Sequence, residues 1–431
     1  MRPTIDLPKS SKPGTATGAT TPSSNESPSA SESDWGPSPP SSRPPSRAVS
    51  VSRSEGDRVK DTPTAQPKPP SRASSIKSSD GEGKFTLKEL LGSGPKLARK
   101  SSGRSSGSDR STDTASSLKK YGVCERVAIG KGATSVVRLA HKWDRSEEKL
   151  YAVKEFRKRR KNETEKEYVK KLTAEFCISS TLHHINIVET VDLVQDEQQR
   201  WCEVMEYCPG GDLYAAIKKG GMSPSEVECC FKQILTGVAY LHGQGVAHRD
   251  IKPENLFFDA WGHLKIGDYG ASTVYRLPWE ATVHMSTGLC GSEPYIAPEQ
   301  FTQKTYDARL VDIWACGIVY YCLHFQELPW RVAQQADPLY AAYSAACATN
   351  SAASNCPVTI NNLSPRACRS LLRKMLDPDP KTRCLIEEAV AHPWMQSIEV
   401  CTNVKAPSHV HVHAREVLQA HALNAAAKHQ Q

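Results

Sequence analysis

The sequence predicts an α+β fold of two lobes, a small sheet-rich half followed by a larger helical half, behind a disordered extension. Three observations carry this reading. Residues 1–118 are dominated by Ser, Pro, Thr and Gly and hold few large apolar side chains, so burial cannot offset the entropy of ordering. From Tyr121 the composition changes to short apolar strands. Beyond Ser223, apolar residues recur at helical spacing.

The elements follow in order. Val123, Val127 and Ile129 predict a first strand, Gly130 and Gly132 a turn, and Val136, Val137 and Leu139 a second strand. Leu150 to Phe156 predicts a third. A charged helix is expected within 162–182, with Tyr168, Leu172, Glu175, Ser179 and Leu182 on one face. Two more strands are expected at 187–194 and 200–205. Ser223 and Pro224 look like the N-cap and first residue of a helix built on Val227, Cys230, Phe231, Ile234, Val238 and Leu241. Leu310 to Leu323 is almost wholly apolar and reads as a buried helix; 367–376 and 385–390 read as the last helices. The Ala/Ser-rich stretch 334–355 predicts a loop or weak helix.

Three regions are therefore expected: a Ser/Pro-rich regulatory tail at 1–118, a folded domain at 119–400, and a flexible Ala/His-rich tail at 401–431. His409, His411 and His413 alternate like a comb for metal, but no second ligand pair stands near them, so a frayed polar tail is expected. The chain has 431 residues and no run of about 20 apolar ones, so no membrane-spanning helix is expected. Met1 to Ser10 lacks the apolar core of a secretory signal. The 14 cysteines form no short disulfide framework, which predicts reduced thiols and a cytoplasmic location. Net charge is +8; the first 118 residues hold 18 basic and 12 acidic side chains, so the folded part is nearly balanced and no specific nucleic-acid partner is expected.

The residues that carry chemistry lie in separate strings. Gly130-Lys131-Gly132-Ala133-Thr134-Ser135 sits between two predicted strands, where glycines permit close approach to phosphates; alone it is also a plain hairpin turn. Lys154 lies on the third strand, within reach of α/β-phosphates. Glu175 lies on the inward face of the charged helix, where a carboxylate needs a partner, and Lys154 is the obvious one. The string from His248 to Asn255 puts an acid, a lysine and an amide on one loop. Asp250 can accept a hydroxyl proton, Lys252 can neutralise a transferring phosphoryl, and Asn255 can ligate Mg²⁺. Asp268, in Asp268-Tyr269-Gly270, supplies a second metal ligand after a strand.

With these motifs in order, and Ala297-Pro298-Glu299 closing the following segment, the sequence resembles a eukaryotic protein kinase from about Tyr121 to Gln396. The resemblance implies a bilobal fold and a serine/threonine kinase that transfers the γ-phosphoryl of ATP, with Mg²⁺, to protein substrates. It implies that Ile129, Gly130, Lys131, Gly132, Ala133, Thr134, Ser135 and Val137 cover the nucleotide, and that Ala152 and Leu256 sandwich the adenine. Lys154 would pair with Glu175. The hinge would be Glu206-Tyr207-Cys208 after Met205, with Asp212 near the ribose. Glu299 and Arg383 would form a buried ion pair. Asp212, Glu254 and Ser292 would meet the substrate, the two carboxylates reading an arginine three residues before the phosphoacceptor. Ser286 and Thr287 are the candidate phosphosites of the activation segment, with Arg249 as the phosphate's partner. Two positions depart from the family pattern: Ser135 replaces a third glycine, and Tyr269 replaces Phe and must bury a hydroxyl.

Within the family the chain is most similar to the fungal serine/threonine kinases that regulate nutrient permeases and halotolerance. The supporting strings are Ala133-Thr134-Ser135-Val136-Val137, the run from Leu182 to Val188, and Cys290-Gly291-Ser292-Glu293-Pro294-Tyr295. The resemblance implies peripheral association with membrane transporters. A catalytically silent scaffold is the competing reading, disfavoured because Lys154, Glu175, Asp250, Asn255 and Asp268 are all present. Phe85, Leu87, Leu90, Leu91 and Leu97 form an apolar island in the tail, which leaves two readings of residues 84–102: an unbound linker phosphorylated by other enzymes, or a segment that contacts the folded domain in cis with Ser101 or Ser102 as a switch.

Overall fold

The computed structural model describes residues 117–132, 135–144, 147–349, 357–412, 415–417 and 419–420. The expected tail up to residue 116, including the apolar island at 85–97 and Ser101 and Ser102, lies outside the described residues, as do Ala133, Thr134 and His413.

Five strands come first: β1 (Val123–Lys131), β2 (Ser135–Asp144), β3 (Glu147–Phe156), β4 (Thr190–Gln195) and β5 (Trp201–Glu206). They form one antiparallel sheet in the order β1-β2-β3-β5-β4. Tyr121, Ala140, Tyr151, Val153, Val194, Cys202 and Val204 make the small core on one face. Helix α1 (Glu165–Ser179) is inserted between β3 and β4. Its start is set by a capping box: Thr164 Oγ1 accepts from the Glu167 amide and Glu167 accepts from the Thr164 amide.

The second lobe is built on α2 (Leu213–Lys219) and α3 (Pro224–Gly243). Ser223 caps α3, Pro224 opens it, and Glu226 closes a capping box, so the expected start is the observed one. Six short strands follow: β6 (Val246–Ala247), β7 (Leu256–Phe258), β8 (Leu264–Ile266), β9 (Thr273–Val274), β10 (Ser286–Thr287), and, after α4 (Pro298–Thr302), β11 (Thr305–Tyr306). β6 pairs β9, β7 pairs β8 and β10 pairs β11. The apolar helix is α5 (Ala308–Phe325), started by the N-cap Asp307. Helices α6 (Pro338–Thr349), α7 (Val358–Asn361), α8 (Arg369–Met375), α9 (Ile386–Ala391) and α10 (Pro393–Ser397) complete the lobe. The large core centres on α3 and α5, where Phe231, Ile234, Trp314 and Tyr320 are fully enclosed. No described helix is long and apolar enough to cross a membrane, and the described cysteines are all free.

Of the loop or weak helix expected at 334–355, residues 338–349 form helix α6, where Tyr340 and Tyr343 bury themselves beside Trp330. One expectation needs correction. The tail from residue 401 was expected to be flexible and its histidines frayed. Instead Cys401, His411 and Val412 meet α3, and His409 and His411 are buried. The surface that buries them comes from α3, far upstream in the sequence.

Candidate active site

The strand register builds the first half of the site. On β3, Lys154 lies opposite Val137 of β2 and Glu203 of β5. Its ammonium is buried and donates to Glu175 Oε1 at 2.6 Å and Asp268 Oδ1 at 2.8 Å. Helix α1 turns Glu175 inward, and Asp268 arrives just after β8 with φ of 62°, a conformation unusual for a side-chain-bearing residue. Burial by itself lowers the Lys154 pKa; the Asp268 and Glu175 carboxylates outweigh it, so the pKa is raised and the ammonium stays charged. For Asp268, desolvation pushes the pKa up, but the facing Lys154 charge overcomes it and holds the pKa below the ordinary value.

The second half is the loop from His248 to Asn255. Asp312, fully buried on α5, accepts from the backbone amides of His248 at 2.8 Å and Arg249 at 2.7 Å, and pairs with His242 Nε2 at 2.9 Å. This clamp fixes the backbone on which Arg249 adopts φ of 64°. Asp250 then sits in a ring of donors. Ser292 Oγ donates to its Oδ1 at 3.0 Å, Lys252 Nζ stands 3.2 Å from Oδ2, and Asn255 Nδ2 stands 3.3 Å from Oδ2. Lys252 also donates to Ser292 Oγ at 2.8 Å. Gly291 allows this approach: its φ is 99°, and a Cβ there would stand 2.9 Å from the Arg249 carbonyl.

The two halves meet through the β7–β8 hairpin. The Gly267 amide donates to the Asn255 carbonyl at 2.9 Å, so Asn255 and Asp268 leave the same open end of the hairpin. Because the Asn255 amide nitrogen is engaged by Asp250, its Oδ1 is the atom left to a ligand. A carboxylate and an amide oxygen are hard donors, which fit a divalent cation such as Mg²⁺.

The other singled-out residues line the approaches. Ile129, Gly130, Lys131, Gly132 and Ser135 lie along the β1–β2 hairpin, with Gly130 opposite Val137. Ala152 lies between Leu139 and Met205 in the sheet, and Leu256 is fully buried at the start of β7. The Glu206 amide donates to the Glu189 carbonyl, and its side chain pairs with Lys265 at 2.9 Å. Burial pushes the Cys208 thiol up to about 12, so it is no nucleophile at neutral pH. Asp212 caps α2, accepting from the Ala215 amide at 2.7 Å. Glu254 Oε2 is buried with no hydrogen-bond partner, and burial, foremost, raises its pKa.

In the segment after Gly270, Ser286 is buried and Thr287 exposed on β10. Arg249 is not free: its Nε donates to the Ala271 carbonyl at 2.8 Å. Arg383 clasps Glu299 with two bonds of 2.6 and 2.9 Å, both side chains enclosed, and its guanidinium lies over the Trp314 ring. The Tyr269 hydroxyl, in need of a partner, donates to the Ile266 carbonyl at 3.0 Å.

A protein kinase domain model matches residues 124–395. The chain belongs to the protein kinase family. Among curated relatives, the serine/threonine-protein kinase hal4 of Schizosaccharomyces pombe is 47% identical over 292 residues, covering 67% of this chain and 45% of the relative. The serine/threonine-protein kinase HAL4/SAT4 of Saccharomyces cerevisiae is 45% identical over 294 residues, covering 67% and 48%. The nitrogen permease reactivator protein of Saccharomyces cerevisiae is 36% identical over 309 residues, covering 63% and 39%. This kinase chain thus spans about half the length of the relatives it matches.

Sequence reasoning missed one acidic residue of the kinase site. Glu203, directly opposite Lys154, is buried and held by Ser179 Oγ at 2.8 Å; burial raises its pKa, while Lys154 opposes the rise. Its signal was present: in β5, Cys202 and Val204 face one core, which places Glu203 with Met205 on the face toward α1.

Proposed function

We infer that this chain is an active serine/threonine protein kinase using ATP and Mg²⁺. The observation that carries the reading is the ring around Asp250, which holds a carboxylate, an ammonium and a hydroxyl within hydrogen-bond reach of one another. Asp250 would accept the proton of the incoming Ser or Thr hydroxyl, in the place Ser292 Oγ now donates to. Lys252 would stabilise charge on the transferring group. Lys154, positioned by Glu175, would hold the α/β-phosphates against Asp268. Asn255 and Asp268 would hold Mg²⁺, and the β1–β2 hairpin with Ala152 and Leu256 would close over the nucleotide. Bound Mg-ATP supplies a phosphoryl group whose charge is already partly neutralised.

The buried, unpartnered Glu254 oxygen supports selection of arginine three residues before the phosphoacceptor. Asp212 is the weaker half of that pair, because one of its oxygens caps α2. Exposed Thr287 is a better activation-segment phosphosite than buried Ser286. Likeness to the hal4 kinases and to the nitrogen permease reactivator protein supports a cytoplasmic signalling kinase acting on membrane transporters. The regulatory role of 1–118 and the cis contact of residues 84–102 belong to the same proposal.

The test is phosphorylation of Ser- and Thr-containing peptides by the purified full chain with Mg-ATP. Phosphate on Ser or Thr, favoured by an arginine three residues upstream, is expected. Absence of transfer under all activating conditions, or transfer to tyrosine alone, refutes the assignment.

A further inference from the structure

A buried polar cluster of a different kind lies outside the candidate active site. Cys229 on α3 meets Cys401, His409 and His411 from the C-terminal segment, and one ligand atom from each lies within 4.8 Å of all the others. Cys229 Sγ stands 3.7 Å from Cys401 Sγ and 3.4 Å from His411 Nε2. Four ligands placed tetrahedrally around zinc, with Zn–S about 2.3 Å and Zn–N about 2.0 Å, put sulfur about 3.8 Å from sulfur and about 3.5 Å from nitrogen. The separations match that spacing. They are too long for a disulfide, whose sulfurs stand about 2.05 Å apart.

A second observation points the same way. His409 is 8% exposed, and its Nε2 is buried without any hydrogen-bond partner. Leaving such an atom unmatched is unfavourable. Its other ring nitrogen faces Ser408 Oγ at 3.5 Å, which leaves Nε2 as the ligating atom. His411 is arranged likewise. Nε2 faces Cys229, and Nδ1 faces the buried Glu226 carboxylate at 3.6 Å, the outer-shell partner that orients a metal-bound imidazole. Gln233 Nε2 donates to Cys229 Sγ at 3.5 Å, as expected beside a thiolate. The seat is shaped for the ring: at Gly262 a Cβ would stand 2.8 Å from His411 Cδ2.

We propose that Cys229, Cys401, His409 and His411 form a structural zinc site that fastens the C-terminal segment to α3. Two thiolates and two imidazoles in a four-ligand set, three of them buried and Cys401 partly so, select zinc over hard cations. The site would hold 401–411 against the turn of the β7–β8 hairpin, whose far end carries Asn255 and Asp268.

The test uses the full 431-residue chain, purified without chelator and measured for metal by mass spectrometry. About one tightly held zinc per chain is expected. Cys401→Ser and His409→Ala should each lower bound zinc at least about fivefold, whereas Cys177→Ser, which changes an exposed thiol outside the cluster, should keep it. Exchange with Co²⁺ should give a tetrahedral spectrum with a thiolate charge-transfer band, readable in the unmutated chain should a variant not fold. Chelation should lower Tm by about 5 °C or more in the unmutated chain and not in Cys401→Ser. The proposal is overturned by a chain that stays metal-free at excess zinc, by zinc retained in both ligand variants, or by a Cys229–Cys401 disulfide in the peptide map.

Discussion

The two ends of the β7–β8 hairpin each carry a polar cluster, and the two clusters are built differently. The open end presents Asn255 and Asp268 to Lys154 and Asp250, and each charge there has an opposite charge beside it. The turn end seats His411 against Gly262, with thiols and imidazoles packed close and His409 Nε2 left without a partner. The first cluster is complete as ion pairs and opens to a ligand that comes and goes. The second is largely buried, with Cys401 partly exposed, and a resident cation would satisfy it. Opposite charges satisfy one another at the open end, whereas His409 Nε2 has no partner at the turn end.

The sharpest way to break this comparison is to perturb one end and read both. Lys154→Met should lower kcat/KM for peptide about 1000-fold, because positioning and electrostatics supply most of phosphoryl-transfer catalysis, with zinc content unchanged. Cys401→Ser should do the reverse, losing zinc while kcat/KM stays within about threefold, as for independent sites. Parallel losses in both assays would show that the two ends act as one unit.

Both clusters can be set beside the Glu299–Arg383 pair, which is fully buried. Glu299→Ala leaves an enclosed guanidinium uncompensated and should cost about 3–5 kcal/mol in urea unfolding. A cost under about 1 kcal/mol would mean that water reaches Arg383.

How much was legible in the sequence follows the same contrast. Lys154, Asp250, Asn255 and Asp268 each stand in a short string whose neighbours define them, so their residues could be named before any coordinates. The strand pattern and the Ser223-Pro224 helix start were equally local. Glu203 was hidden because its meaning depends on the register with β3. The C-terminal cluster was illegible because 182 positions separate Cys229 from His411, and only the packing of 401–412 on α3 brings them together. An alternation such as His409-Val410-His411 looks like a frayed tail until its partner surface is known.

Smaller effects sharpen the open end. Tyr269→Phe removes the hydroxyl that donates to Ile266 and should cost about 1 kcal/mol, read as a small fall in Tm, with the neighbouring Asp268 untouched. The acid limb of stability tests Asp268 itself. Its pKa is lower folded than unfolded, so as pH falls below the ordinary Asp range near about 4 the unfolded chain takes up the proton first. The stabilisation present above that range is therefore lost as pH falls through the folded value. Asp268→Asn should flatten this limb; an unchanged acid limb would contradict the Lys154 pairing.

The account rests most on Asp250 as the proton acceptor. Single-turnover phosphoryl transfer from bound Mg-ATP to a Ser peptide, comparing the unmutated chain with Asp250→Asn, isolates that role from nucleotide binding. Asn keeps the size of the side chain and part of the ring with Ser292 and Lys252, so nucleotide affinity should stay within about threefold while the transfer rate falls at least about 100-fold. Transfer at the unmutated rate would contradict the assignment of Asp250 and, with it, the proposed mechanism.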